Sequence, residues 1–395
     1  MIGVIADDLT GAAELSGAGF RHGLRSEVVT EPKAISEADL VCVDTDSRSC
    51  PPTEAGRRAA TAASTLTALR AEWIYKKVDS VLRGRIVAEL EAMMNQLRLP
   101  RALLVPANPS LGRVVRDEQY FVTGRPIHET DFRLDPEYPR LSSSVLELLG
   151  PSASHPVQVR TVHDSLPAAG IVVGEAQTVQ DLRQWASRRD GATLMAGAAE
   201  FFGALLEAAG HRAISTPALP TVPVLPKAQR SPSAAAEPEL FVCGSRSEAC
   251  RSFVAESRRH GVAVFGLPVE VAGGGKFSAQ LRQSLAEKIA EAGRTSPRLV
   301  LEIGLPSVKE PRAARQLTEH LAELAREVLL RLPRAQVYAE GGATGASLLR
   351  CMNWNRLRVV REIAPGVVTF QIPGDWQCLL TLKPGSYVWP ANVKA

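Results

Sequence analysis

The sequence predicts an α/β protein built as two three-layer α/β domains with mainly parallel sheets. Three observations lead there. Strand-like and helix-like patterns alternate from the first residues onward. The strand-like runs are short and apolar without a polar-out rhythm, which suits strands covered on both faces. One stretch, 216–238, is rich in Pro, Ala and Ser and breaks the alternation, as a stiff, extended linker does. It divides an N-terminal domain over 1–215 from a C-terminal domain over 239–395.

In order, the spacing predicts a strand at Ile2–Ala6, a helix near Thr10–His22 and strands at Glu27–Thr30 and Leu40–Asp44. Thr10 is placed to cap that first helix. An Ala-rich helix follows at Thr53–Leu69, then the strand Trp73–Lys77, the helix Arg85–Leu97 and a strand at Ala102–Pro106, stopped by its proline. From Ala107 to Leu141 regular periodicity fades, and so long an irregular stretch is usually functional or wrapped over another surface. Ser142–Leu149, Val179–Arg188 and Ala198–Ala209 read as helices; Val157–Val159, Ile171–Val173 and Leu194–Met195 read as strands. The second half restarts with the strand Leu240–Cys243 and a helix near Glu248–His260. A strand at Val262–Phe265, a helix at Phe277–Ala292 and a strand at Arg298–Ile303 follow. Ala313, Leu317, Leu321, Leu324, Val328 and Leu332 mark one apolar face of a long helix beginning near Lys309, either core or a homodimer interface. Gln336–Ala339 is a strand, Ala346–Met352 a helix, and Leu357–Glu362, Val367–Gln371 and Cys378–Leu382 are strand-like.

At 395 residues the chain is long enough for two ordinary cores. Its 45% hydrophobic and 22% charged residues are those of a soluble globular protein. The net charge of +4 is small and its cations are scattered pairs, so no nucleic-acid partner is implied. No run approaches the ~18 apolar residues of a membrane span. The apolar start is interrupted by Asp7 and Asp8, unlike a signal peptide, so the expected location is cytoplasmic with no membrane partner. Six cysteines lack CxxC or zinc-ligand spacing, and seven histidines form no HxH or HxxxH pair, so no metal ligand is assigned.

Chemistry gathers at the predicted strand ends. Asp7 and Asp8 follow the first strand, where open α/β sheets place their ligands. On that stretch alone, helix capping and catalysis are equally good explanations. Asp44-Thr45-Asp46-Ser47-Arg48 follows another strand, and Lys77, Asp79, Ser80 and Arg83 follow a third. Strand alternation points either Lys76 or Lys77 inward. Such a mixture suits a small polyhydroxy acid, with Arg pairing the carboxylate and Asp and Ser bonding hydroxyls. Gly112-Arg113 either brings a further cation over this site or is a solvated loop, with the loop slightly ahead. In the second half, Gly244–Ser247 (GSRS) can cap a helix or meet a nucleotide. Glu340–Gly345 (EGGATG) is a strand–turn–helix unit whose bare backbone can hold phosphate, although taken alone such a glycine pair is more often a structural turn. Lys383-Pro384-Gly385 puts a cation beside a flexible glycine.

DDLTGA (Asp7–Ala12), DTDSR (Asp44–Arg48), KVDSVLRG (Lys77–Gly84), VPANPSLGR (Val105–Arg113) and the following YFVTGRPIHETDFRLDP, in this order, resemble the four-carbon acid sugar kinase family. GSRS, GGATG and KPG match more loosely. The resemblance implies ATP-dependent phosphorylation of a four-carbon sugar acid such as threonate, erythronate or a 3-oxo-tetronate, in carbohydrate catabolism across an interdomain cleft. Carried over, Asp8 is catalytic, and Asp7, Arg48, Lys77, Asp79, Ser80 and Arg83 are substrate-side. Ser245, Gly341, Gly342, Ala343, Thr344 and Gly385 are ATP-side. The family usually has an acidic residue where Ala343 stands, and KPGSYVWP lacks the family's glycine–phenylalanine–glycine run. Both departures fall on the nucleotide side.

On this reading Asp8 orients or deprotonates the acceptor hydroxyl, while Lys77, Arg83 and Arg48 hold the carboxylate or neutralise the transferring group. Mg²⁺ bridges ATP oxygens with few protein ligands of its own. A catalytically weak sugar-acid-binding or regulatory protein is the alternative, motivated by Ala343. An aspartyl-phosphate phosphatase ranks last, because its carboxylates should alternate rather than adjoin.

Overall fold

The computed structural model describes residues 1–31, 37–135, 137–214, 238–305, 311–374 and 379–394. All but Pro238 of the 216–238 stretch, together with Lys309 and Cys378, lies outside them. The chain forms two compact units, Met1–Ile214 and Ser215–Ala395.

The first unit contains β1 (Ile2–Ala6), α1 (Leu9–Arg21), β2 (Ser26–Val29), β3 (Leu40–Asp44), α2 (Pro52–Ala68), β4 (Trp73–Lys77), α3 (Ile86–Leu97) and β5 (Arg101–Val105). It continues with β6 (Arg113–Arg116), β7 (Gln119–Val122), β8 (Arg125–Pro126), α4 (Val145–Leu149), β9 (Val157–Arg160), β10 (Gly170–Gly174), α5 (Val179–Ala186), β11 (Thr193–Gly197) and α6 (Ala199–Ala208). Eight strands pair in the order β2-β3-β1-β4-β11-β5-β10-β9, every pair parallel. Helices cover both faces. Ile5, Val41 and Val43 join α2 and α3 in one apolar cluster, while Tyr75 packs on Phe201 and Phe202 of α6 from the other side. After β1 the chain adds β3 on one flank and then crosses to add β4 on the other. That reversal opens a crevice at the carboxyl ends of β1, β3 and β4.

Three sequence expectations are corrected here. Asp8, not Thr10, is the N-cap of α1: its Oδ1 accepts from the Gly11 amide at 2.8 Å, and Thr10 Oγ1 donates to Oδ2 at 2.5 Å. The stretch 107–141 is not without regular structure, because β6, β7 and β8 form a small antiparallel sheet. Its two-residue turns, Asp117-Glu118 and Thr123-Gly124, all take positive φ as tight hairpins require. Asp-Glu lacks the glycine that normally signals such a turn, which hid it. Finally, Lys76 and Lys77 are both buried rather than one of them, since each meets a carboxylate on its own side of the sheet.

The second unit contains β12 (Glu239–Cys243), α7 (Glu248–Arg259), β13 (Ala263–Gly266), α8 (Ala279–Thr295), β14 (Arg298–Glu302), α9 (Pro311–Arg331), β15 (Gln336–Glu340), α10 (Gly342–Met352), β16 (Arg356–Ala364), β17 (Val367–Gln371) and β18 (Leu379–Lys383). The strand order is β13-β14-β12-β15-β18-β17-β16; the first five run parallel and the last two add antiparallel. Again the first strand, β12, has later strands added on one flank and then the other. In α9, Leu317, Leu321, Leu324 and Val328 are buried, so this apolar face is core of its own unit. Opposite it, Phe241 stacks on Tyr338 at 4.4 Å between ring centroids, with Trp389 edge-on to both. Among the described residues, no helix is long and apolar enough to cross a membrane.

Candidate active site

Strand register assembles the first cluster. Ala6 lies beside Asp44 on β3 and Lys77 on β4, so the residues that follow leave the sheet side by side. The Asp7 carbonyl then accepts from the amides of Ser47 and Arg48, at 2.9 and 3.1 Å, tying the two turns together.

The side chains interlock through Arg48. Its guanidinium grips Asp7 bidentately, Nε to Oδ2 at 2.8 Å and Nη2 to Oδ1 at 2.9 Å, and reaches Asp8 Oδ2 through Nη1 at 2.7 Å. Asp79 Oδ1 lies 3.8 Å from Arg48 Nη2. Asp79 itself accepts from the amides of Val81 and Arg83 and is gripped bidentately by the Arg83 side chain. Its carboxylate is thus committed to folding the turn and aiming Arg83, whose Nη1 also meets Asp135 at 3.2 Å. Gly84, at φ +99°, leaves room for the Asp7 carboxylate: a Cβ there would stand 2.9 Å from Asp7 Oδ2.

Beneath this layer two lysines are neutralised. Lys77 on β4 meets Glu14 of α1 at 3.1 Å, and Lys76 meets Glu89 of α3 at 3.0 Å. Glu89 also accepts from Ser47 Oγ at 2.6 Å, bracing the turn that carries Arg48. Ser80 is reached by Arg113 Nη1, and its carbonyl accepts from the Tyr120 hydroxyl. The segment after β8 closes over these turns: Tyr138 donates to the Arg48 carbonyl, and Arg140 donates to the Leu82 carbonyl at 3.0 Å.

The charges set the protonation. Burial pushes the Asp7 carboxyl up, but the charge and hydrogen bonds of Arg48 outweigh it and hold the group below its ordinary range. Asp79 is lowered in the same way, with Arg83 and Arg48 overcoming burial. Asp44 pairs with no cation among the described residues. Burial, reinforced by Asp46 and the more distant Asp8 and Asp7, pushes it up to about 8. Below its ordinary value this group contributes full stability; the contribution is lost as pH rises toward 8, because the folded chain holds a proton that the unfolded chain has released. Denaturant unfolding at several pH values should therefore show wild type losing stability between about pH 4 and 8 relative to Asp44→Asn. Parallel profiles would exclude this role for Asp44.

In the second unit the loops after β12, β15 and β18 converge. A Cβ on Gly385 would stand 2.5 Å from Ser245 Oγ and 3.6 Å from the Gly341 Cα, and one on Gly244 would stand 2.2 Å from Thr344 Oγ1. Ser247 caps α7 by accepting from the Cys250 amide at 3.1 Å, and its hydroxyl donates to the Gly385 carbonyl. The GGATG stretch is a turn only at Gly341, at φ +95°; Gly342, Ala343 and Thr344 already form the first turn of α10, which carries no side-chain cap. At the foot of these loops Glu340 is buried between Lys383 at 3.0 Å and Trp389 Nε1 at 2.9 Å. The Cys243 and Cys250 thiols lie within 4.8 Å of it and of each other.

Every substrate-side residue expected from sequence thus falls at one set of strand ends, and the ATP-side residues gather around Gly341. Sequence reasoning named Asp44 only as part of a strand-end run and Asp135 only within a motif, and missed Glu14, Glu89, Tyr138 and Arg140. The acidic character of α1 and α3 at Glu14 and Glu89 was visible, but not which lysine each would meet.

Comparison with known proteins fits this layout. A family profile described as "Sugar-binding N-terminal domain" matches residues 2–205, and one described as "Nucleotide-binding C-terminal domain" matches residues 240–387. A D-threonate kinase from Salmonella typhimurium is 30% identical over 228 residues, covering 51% of this chain and 52% of the relative. A D-threonate kinase from Cupriavidus necator is 29% identical over 420 residues, covering 97% of this chain and 94% of the relative. A solved structure from Salmonella typhimurium LT2, described as a tRNA synthase, has a TM-score of 0.74 at 20% identity, covering 98% of this chain and 96% of its own; it shows the shared fold alone. With both halves matched, the chain belongs to the four-carbon acid sugar kinase family.

Proposed function

We propose that this protein transfers the γ-phosphoryl group of ATP to a hydroxyl of a four-carbon sugar acid of the threonate, erythronate or 3-oxo-tetronate type. The observation that carries the reading is the pair of loop clusters, each at strand carboxyl ends where its sheet reverses order. One is rich in matched carboxylates and guanidinium groups; the other is glycine-lined with an uncapped helix start.

Asp8 receives the acceptor hydroxyl. Three donors, from Gly11, Thr10 and Arg48, occupy part of its carboxylate, and its four lone-pair positions leave room for one more. Asp7 and Asp79 hold Arg48 and Arg83 in place, so the cations face the substrate without reorganising. Ser80 completes the pocket wall, with Lys77 buried beneath it on Glu14. On the nucleotide side, the free amides of Gly342, Ala343 and Thr344 face phosphate, favoured by the helix dipole. Ala343 removes a side chain from this turn but no backbone donor, so a degenerate nucleotide site is not favoured. Magnesium would ride on the phosphate oxygens, since the carboxylate of Glu340 is spent on Lys383 and Trp389. A cytoplasmic location fits a reaction that draws on ATP.

The test is coupled ADP release from ATP across a panel of four-carbon sugar acids and their neutral polyols. Turnover confined to acids supports the reading; ADP release with none of them refutes it. Gly385→Ala should push Ser245 away and weaken ATP binding by about 10-fold or more in calorimetry, a loss of ~1.4 kcal/mol, with sugar-acid binding unchanged. Unaltered ATP affinity would remove Gly385 from the nucleotide site.

A further inference from the structure

Four cations of the first cluster are already matched to carboxylates, and Arg140 spends its Nε and Nη1 on the carbonyls of Tyr138 and Leu82. Arg48 is held by Asp7 and Asp8, Arg83 by Asp79 and Asp135, Lys77 by Glu14 and Lys76 by Glu89. Arg113 pairs with no carboxylate among the described residues. Its Nη1 donates to Ser80 Oγ and its guanidinium lies 5.6 Å from the centroid of the Phe132 ring. One of five N–H donors is therefore spent, and the charge is uncompensated.

Its placement is rigid. Asn108 and Arg113 exchange two backbone hydrogen bonds, at 2.8 and 3.1 Å, around a loop closed by Gly112 at φ +64°. The Asn108 side chain is buried and accepts from the Glu200 amide at 3.1 Å. Ser80, the other end of the contact, is fixed by Tyr120, which is itself fully buried. A guanidinium that is anchored at its backbone, oriented by a hydroxyl and a ring, and free of counter-ion is built to receive a planar anion.

Resting on the kinase reading above, we propose that Arg113 receives the carboxylate of the sugar acid and determines selection of acids over neutral sugars. A negatively charged substrate entering a site already lined by Asp7, Asp8, Asp79 and Asp135 needs a cation that those groups have not consumed. The planar fork can engage both carboxylate oxygens while Ser80 holds it in register. Lysine would supply the charge without the fork.

The test compares wild type, Arg113→Gln and Arg113→Lys on one four-carbon acid and on its uncharged amide. Calorimetric binding and ADP-release kinetics are both measured, after thermal melts establish that each variant folds. Arg113→Gln should raise Kd and KM for the acid about 10–100-fold, with binding of the amide changed less than about 3-fold and kcat for the acid largely kept. Arg113→Lys should recover part of the acid affinity. Equal losses for acid and amide, or undiminished acid binding, would overturn the assignment in favour of a structural arginine. If wild type binds the acid but no acid is phosphorylated, the kinase reading fails while the binding arm still decides Arg113. Failure of wild type to bind any of the acids overturns both.

Discussion

Replacing Asp8 by asparagine is expected to lower kcat by about 10²–10⁴-fold, the range set by loss of a positioned general base. The fold should survive, because asparagine caps helices as well as aspartate and keeps an oxygen for the Gly11 amide. What disappears is the negative charge that faces Arg48 Nη1 and would draw the proton from the acceptor hydroxyl. Steady-state kinetics beside a thermal melt separates the two effects. Near-normal turnover in a folded Asp8→Asn protein would leave Asp8 as a cap alone.

Arg48→Ala should be the most destabilising single change in the cluster, by about 3–5 kcal/mol, the cost of removing one partner from a buried pair. Asp7 is 2% exposed and would lose a bidentate partner, and Asp8 would lose a charged donor. Denaturant unfolding measures the loss directly. The companion Asp7→Asn/Arg48→Ala double variant should regain a part of it, because the stranded charge is gone. A loss below ~1 kcal/mol in Arg48→Ala would mean that water reaches the Asp7 carboxylate and the pair behaves as an exposed one. Acid should act on the same pair. With its titration held below the ordinary range, Asp7 contributes stability above about pH 4 that is lost as pH falls through its lowered value.

The strands that carry the site were legible because buried parallel strands leave a mark that needs no partner: Leu40–Asp44 and Trp73–Lys77 are apolar runs ended by charge. Boundaries failed where local chemistry had two solutions. Asp8 and Thr10 both cap helices, and the neighbouring demand of Arg48 for a carboxylate fixed Asp8 at the turn. The glycines of GGATG read as loop, yet Gly342 and Gly345 lie within α10 because Gly341 alone supplies the positive φ that the turn needs. The hairpins inside 107–141 escaped because their strands are four residues or fewer and one turn closes on Asp-Glu.

The chemistry divides in the same way. The sequence alone determined which residue types stand at the strand ends, since Asp7-Asp8, Arg48 and Lys77–Arg83 directly follow apolar runs whose periodicity sets where each strand stops. Only the tertiary structure decided how those charges are shared. Lys76 and Lys77 take carboxylates from α3 and α1 on opposite faces of the sheet, Asp79 turns inward on its own loop, and Arg113 arrives from beyond β5 with no counter-ion among the described residues. Those pairings join residues up to dozens of positions apart, and a charge is matched or left open by distance in space, which local spacing does not encode.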